Sequence, residues 1–329
     1  MKYIVNESND PRYNLALEEY TFKHLDKDED YVLLWINGPS IIIGKNQNTI
    51  EEINMNYVKE NNINVVRRIT GGGAVYHDLG NLNFSIITKS DNLARIDFKK
   101  YNESIIKALN KFGIKGEFSG RNDITIEGKK FSGIAQSLRK GRVLNHGTLL
   151  FNSELDVLSR ALKVKKEKYE SKGIKSVKSR VTNIKPHLKE DIDILTFRDT
   201  LLKYIFEMEN QPIEIYELTD KEEKDIQNLV DEKYGTWEWN FGESPDFNYK
   251  NYKRFSAGSI EVRLDVSNGK IKECKIYGDF FGSENVEELE EILIGLRYDI
   301  GDIEEALEGI EIYKYFGNIS KEDFLSCLF

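Results

Sequence analysis

Cysteine is nearly absent from this chain, with two in 329 residues, Cys274 and Cys327. Two thiols make neither a disulfide framework nor a thiolate metal cluster. Residues 1–273 hold none, which disfavours acyl transfer through a cysteine thioester. The four histidines, His24, His77, His146 and His187, have no ligand-type spacing, so no zinc site is expected. Only 5 prolines and 24 glycines argue against collagenous or low-complexity character. Apolar runs such as Tyr31–Ile36 and Ile41–Ile43 fall far short of the ~20 residues that cross a bilayer. The start, MKYIVNESND, turns polar within five residues, so no signal-peptide core is expected. A basic excess is missing too: 47 basic side chains face 56 acidic ones, a net of −9, which argues against nucleic-acid binding. The expectation is a soluble cytoplasmic protein with no membrane or nucleic-acid partner.

What is present is core-forming material: 40% apolar residues and 11% aromatic. The length suits one large domain with an appendage, or two domains. Asn9 or Asp10 caps a helix whose first turn takes Pro11 and whose apolar stripe is Tyr13, Ala16, Leu17 and Tyr20. Strands are read at Tyr31–Ile36, Ser40–Ile43, Asn64–Ile69 and Leu82–Thr88, and helices at 50–60 and Phe98–Phe112. Residues 113–152 read as a meander punctuated by Glu127-Gly128 and Lys140-Gly141. Helices are read again at Leu155–Leu162 and Thr196–Met208. Gly242–Lys250 reads as a linker, followed by a hairpin, Ser259–Val266 with Lys270–Tyr277, and by helices at Asn285–Arg297, Ile303–Leu307 and Lys321–Leu328. Hairpin-linked strands without strict βαβ alternation predict an α+β fold with mixed sheets, divided into residues 1–246 and 247–329.

Several stock motifs fail. GPSIIIGK (38–45) has five residues between its glycines where a P-loop has four, and Asn46 replaces Ser/Thr. Gly71-Gly72-Gly73 begins a dinucleotide fingerprint, but Tyr76 stands where the third glycine belongs. Three polar patches remain. In RRITGGGAVYHDLGN (67–81), alternation sends Arg67 and Arg68 to opposite faces, and three glycines let backbone N–H groups approach an anion. A plain glycine hairpin with surface arginines is the competing reading. In the second patch, SGRND (119–123) and KKFSG (129–133), Lys130 lies in an apolar-patterned strand, where an ammonium is costly unless it meets an anion. A solvated hairpin lysine is the alternative there. The third is His146-Gly147-Thr148 followed by SKGIKSVKSR (171–180), suited to a loop closing over phosphate. Arg68, the glycines, Lys130 and Asp123 together could bind a nucleotide phosphate, its metal and an acyl carboxylate, the equipment for carboxylate adenylation.

These patches, with NLALEE (14–19), HGTLL (146–150), VTN (181–183) and WEWNFG (237–242), resemble lipoate–protein ligase of the biotin/lipoate ligase superfamily along essentially the whole chain. The resemblance implies a mixed-sheet catalytic domain and a smaller α+β C-terminal accessory domain. It implies lipoate as substrate with ATP and Mg2+, lipoyl-AMP as intermediate, and transfer to a lysine of lipoyl domains of 2-oxoacid dehydrogenase complexes or glycine-cleavage H protein. It implies Lys130 as the catalytic residue. Adenylate contacts would come from Arg68, Gly73, Ala74, Val75, Tyr76, Asn83, Asp123, Lys130, Lys172, Ser179 and Arg180. The lipoyl chain would meet Arg68, Gly72, Gly73, His77, Lys130, Gly133 and His146, and Asp123 would hold the magnesium. A monomer is expected. The alternatives are a lipoyl or octanoyl transferase working from a preformed adenylate or acyl-protein, or a lipoate-binding protein without turnover. Biotin ligase would show a GRGRxG-like loop, which is not found.

The net charge is unevenly spread. From Ser283 onward there are 13 acidic and 3 basic residues, a net of −10, leaving 43 acidic and 44 basic before it. Lys163–Arg180 holds 8 basic and 2 acidic residues, a local +6 suited to anions.

Overall fold

Tyr31–Ile36 (YVLLWI) is apolar at every position, and in the computed structural model all six side chains are buried. A strand of that kind needs cover on both faces. The structure describes residues 1–89, 103–119, 122–162, 181–208, 210, 212–241, 248–267 and 269–329. Lys172, Ser179 and Arg180 lie outside the described residues, as do the rest of the basic stretch, Gly120 and Arg121.

The chain opens with β1 (Lys2–Ile4), α1 (Pro11–His24), β2 (Tyr31–Ile36), β3 (Ser40–Ile43), α2 (Thr49–Glu52) and α3 (Met55–Glu60). It continues with β4 (Asn64–Arg67), β5 (Val75–His77), β6 (Asn81–Lys89), α4 (Glu103–Lys111), β7 (Glu117–Ser119), β8 (Asp123–Ile126), β9 (Lys129–Arg139) and β10 (Arg142–Leu150). Then come α5 (Leu155–Ala161), α6 (Ile194–Met208), β11 (Ile215–Tyr216), α7 (Asp220–Leu229) and α8 (Trp237–Asn240). The last part holds β12 (Tyr249–Phe255), β13 (Gly258–Ser267), β14 (Lys270–Gly278), α9 (Val286–Leu293), α10 (Ile300–Ala306), α11 (Tyr313–Phe316) and α12 (Lys321–Leu328).

The main sheet has eight strands in the order β11-β1-β2-β6-β10-β9-β8-β7. It is mixed: β11, β1 and β2 run parallel, and the other pairs are antiparallel. One face carries Val32, Leu34, Ile36, Leu82, Phe84 and Ile86 into a core closed by Ile105 and Leu109 of α4 and by Phe197, Leu201 and Ile205 of α6. The opposite face sends Tyr31, Leu33 and Trp35 against Leu15, Leu17 and Tyr20 of α1 and against Ile42 and Val66. Ile42 and Val66 belong to a small second sheet, β4-β3-β5, in which β3 is parallel to β4 and antiparallel to β5. The site lies where this small sheet faces the main one.

Residues from Tyr249 onward make a separate core, in which Ile260, Val262, Ile271 and Ile276 of the β12-β13-β14 sheet pack against Leu289 and Leu293 of α9 and Phe324 and Leu328 of α12. Both cysteines are buried in it. Burial pushes both thiols up, Cys327 to about 11, the reverse of what an acyl-carrying thiolate requires. Where this part meets the rest of the chain, the Gly278 N–H donates to the Asn46 carbonyl at 2.7 Å and the Lys45 ammonium donates to Asn285 at 3.1 Å.

Candidate active site

Period-2 alternation assembles the floor of the site. Trp35 of β2 pairs with Asn83 of β6, Asn83 with Thr148 of β10, His146 with Ala135 of β9, and Gly133 with Asp123 of β8. Paired residues share a face, so all of these point to the same side of the sheet. Lys130 would fall on the wrong side of a regular β9, since it stands an odd number of positions, three, from Gly133. A bulge corrects this: Thr125 pairs with Lys130 and Ile124 with Ser132, leaving Phe131 as the extra residue. Phe131 turns into the core under the sheet, and Lys130 comes round to the face that carries Asp123 and Gly133. Its Nζ lies 2.7 Å from Asp123 Oδ1. A Cβ on Gly133 would stand 3.1 Å from that Nζ, so the glycine makes room for the ammonium. The expectation of a buried lysine is corrected, because its side chain is 37% exposed. The backbone of Lys130 is tied on its other edge by Val181 and by the Thr182 N–H at 2.8 Å. The residues that follow the basic stretch therefore lie beside this lysine.

The small sheet forms the facing wall. A cavity of about 130 Å3 lies between the two. Arg68, Gly73, Ala74, Val75 and His77 line it from one side, and Asn83, Lys130, Gly133 and His146 from the other. These nine residues, scattered over 79 positions, were all named as site candidates from the sequence. Leu15, Trp35, Ile42 and Ala135 add apolar side chains to the lining that the sequence reasoning missed. The register of Trp35 beside Asn83 was the available signal.

Asp123 does not line the cavity and reaches the site only through Lys130; two further candidates stand elsewhere. Tyr76 alternates to the far face of β5, where it is buried among Ile41, Ile43, Ile53 and Val58, and it lines a different cleft with Asp78, Glu154 and Lys185. Gly72 has φ +93° and turns its bare face outward: a Cβ there would stand 2.9 Å from both the Phe281 ring and Arg68 Nη2. Gly71 is similarly pressed by the Phe280 carbonyl oxygen. The three glycines thus divide their work. Gly71 and Gly72 admit the C-terminal part of the chain and a left-handed turn, and Gly73 alone faces open space.

The paired arginines diverge as alternation requires. Arg67 donates to the carbonyls of Gly44, Lys45, Gln47, Trp239 and Asn240 and to the Thr49 hydroxyl, tying α8 to the loop after β3. Arg68 lines the cavity but spends its donors on protein. Its Nη2 reaches the carbonyls of Gly71 at 2.6 Å and Gly73 at 3.0 Å, Nη1 that of Ile42 at 3.2 Å, and Nε the Thr70 hydroxyl at 2.9 Å. Burial pushes this guanidinium down to about 10, and the Glu18 carboxylate partly opposes the shift.

His77 supplies an unused donor. Its Nδ1 accepts from the Asn37 carboxamide at 2.9 Å, which leaves the proton on Nε2. That Nε2 is buried without a partner among the described residues, and so is Nε1 of Trp35. Burial, reinforced by Arg68 and His146, pushes the His77 imidazole from 6.5 down to about 3. The unfolded chain therefore takes up a proton that the folded one refuses. The contribution of His77 is fully present above pH 6.5 and is lost as pH falls toward 3, at about 1.4 kcal/mol per pH unit. Urea unfolding of His77→Gln should show a flatter loss of stability below pH 6.5 than the wild type; parallel curves would contradict this assignment.

Asp123 is the one candidate magnesium ligand, and no group of three His, Cys, Asp or Glu side chains that could hold a metal occurs among the described residues. A magnesium ion held largely by substrate phosphates needs only one or two carboxylates, so Asp123 beside Lys130 fits that limited role. No helix of the described residues is long and apolar enough to cross a membrane.

Comparison with known proteins identifies the family. A model described as lipoyl protein ligase A/B catalytic domain matches residues 10–206, and one described as bacterial lipoate protein ligase C-terminus matches residues 244–328. The chain is 53% identical over 333 residues to lipoate-protein ligase LplJ of Bacillus subtilis (strain 168), covering 100% of both chains. The crystal structure of P. falciparum LipL1 in complex with lipoate matches with a TM-score of 0.80 at 28% identity, over 99% of this chain and 97% of that one. A lipoate-protein ligase A bound with ATP matches with a TM-score of 0.64 at 32% identity, over 73% of this chain and 98% of that one. Together with the α+β mixed-sheet fold, these matches define an enzyme of the ligase class. The chain belongs to the lipoate–protein ligase family.

Proposed function

We propose that the protein activates lipoate with ATP to lipoyl-AMP, releasing pyrophosphate, and then transfers the lipoyl group to a lysine of a lipoyl domain or of glycine-cleavage H protein. The observation that carries this reading is one cavity lined by Lys130, by Gly73 and by the apolar side chains of Leu15, Trp35 and Ile42. The aliphatic chain of lipoate suits the side chains of Leu15, Trp35 and Ile42, with its carboxylate directed to Lys130. In the first step a carboxylate oxygen bonds to the α-phosphorus as the bond to the β-phosphate oxygen breaks. Charge grows on the non-bridging oxygens, where a fixed ammonium is most effective out of water. In the second step the acceptor amine attacks the acyl carbon, the bond to AMP breaks, and the amine loses its proton. Lys130 then holds the carbonyl oxygen while it carries negative charge. Lys130 is not itself acylated, since an amide to it would end turnover.

Magnesium, with Asp123 as its carboxylate, would neutralise the triphosphate. Lys172, Ser179 and Arg180 would close over the adenylate, a role favoured by the anchoring of Val181 and Thr182 on Lys130. The reading includes a catalytic part, 1–246, an accessory part, 247–329, a monomer and a cytoplasmic site of action. Transfer from a preformed adenylate, or lipoate binding without turnover, has no observation in its favour. The test is ATP–pyrophosphate exchange: label should enter ATP only when lipoate is added. Lipoate-independent exchange, or none, would refute the adenylation step.

A further inference from the structure

Below the cavity, a chain of buried polar groups joins Arg68 to α1. Arg68 Nε lies 2.9 Å from Thr70 Oγ1, Thr70 Oγ1 lies 2.8 Å from His146 Nε2, and His146 Nδ1 lies 2.7 Å from Glu18 Oε1. The Ser85 hydroxyl also donates to Glu18 Oε1. Arg68, Thr70, Ser85, His146 and Glu18 are all less than 9% exposed. A guanidinium can only donate, so the Thr70 oxygen accepts from Arg68, and His146 Nδ1 donates to the Glu18 carboxylate. The Glu18 carboxylate is the buried counter-charge of Arg68. Neither Thr70 nor Glu18 lines the cavity.

We infer that Thr70 and Glu18 are positioning residues for adenylation: through His146 they hold Arg68 in the orientation that keeps the Gly71 and Gly73 carbonyls, and hence the ligand-facing turn, in place. The inference rests on the ligase reading. Buried polar chains of this kind act as units, because breaking one link leaves its neighbours unpaired in a dry interior. The link matters to rate because displacing a binding turn by about 1 Å can cost ~10²-fold.

The test is a cycle of Thr70→Val and Glu18→Gln, with Thr70→Ser as the conservative control. Lipoate-dependent pyrophosphate exchange and calorimetric lipoate binding are both read on folded protein. Thr70→Val and Glu18→Gln should each lower kcat/KM for lipoate by about 10- to 100-fold. The double variant should fall no more than about threefold below the worse single, because both break one chain. Thr70→Ser, which keeps the hydroxyl, should stay within about threefold of wild type. Losses that multiply, a Thr70→Ser as weak as Thr70→Val, or a Thr70→Val within threefold of wild type would overturn the inference. Lipoate binding reads the same variants without turnover. A wild type that binds lipoate but does not exchange pyrophosphate would count against the ligase reading, and the binding constants would still decide the chain.

Discussion

Lys130→Ala loses lipoyl-AMP formation and keeps its fold. In the proposed mechanism this ammonium would meet the carboxylate, the α-phosphate and the later acyl oxyanion in turn. Removing a single preorganised donor from such a site costs about 10²–10³ in kcat, and one that serves two steps costs at least as much. Stability should hardly change, for a reason visible in the ion pair. Both Lys130 and Asp123 are more than a third exposed, 37% and 36%. An exposed pair of this kind contributes about 0–1 kcal/mol. No packed volume is lost either, because the side chain stands over Gly133 and not in the core. The measurements are pyrophosphate release with lipoate and ATP, and thermal melting of the same preparation. Near-normal release from a folded Lys130→Ala would remove the lysine from the chemistry.

The second large effect separates two adjacent glycines. Gly72 sits at φ +93° with Arg68 Nη2 and the Phe281 ring each 2.9 Å from a notional Cβ. An alanine there combines left-handed strain of ~1–3 kcal/mol with two collisions, so the turn or the Phe281 ring must move. Gly72→Ala should therefore melt lower and lose activity together. Gly73 has nothing within 4 Å of its Cβ position and no positive φ. Gly73→Ala should melt like the wild type but raise KM for ATP or lipoate by ~10-fold or more, since its methyl group projects into space that the ligand needs. If Gly73→Ala turns over normally, the turn does not face the adenylate. If Gly72→Ala is as stable as wild type, the Phe281 contact does not constrain it.

Legibility in the sequence followed local rules. The strands Tyr31–Ile36 and Ser40–Ile43 and the helix Lys321–Leu328 are readable to the residue, because periodicity and turn residues bound them. The helix Asp220–Leu229 was not read, although Thr219 and Glu222 form a capping box that the sequence displays. The stretch Gly242–Lys250 reads as linker by composition. Yet Tyr249 and Lys250 already pair with Leu264 and Arg263, a long-range contact that composition does not encode.

The site candidates divide in the same way. Tyr76 could have been separated from Val75 and His77 by alternation alone, and treating Gly73–Tyr76 as one block ignored that period. The placement of Lys130 depends on the bulge at Phe131, which exists only in register with β8. Thr70 lies in RRITGGG and Glu18 in NLALEE, but their link through His146 joins three distant segments and becomes visible only in the fold.

The most direct test of the central claim is the intact mass of an acceptor. Apo H protein or an apo lipoyl domain is incubated with this protein, lipoate and ATP. A gain of one lipoyl group, dependent on ATP and on the acceptor lysine, is the predicted result. An acceptor of unchanged mass, or one modified equally well without ATP, would contradict the account.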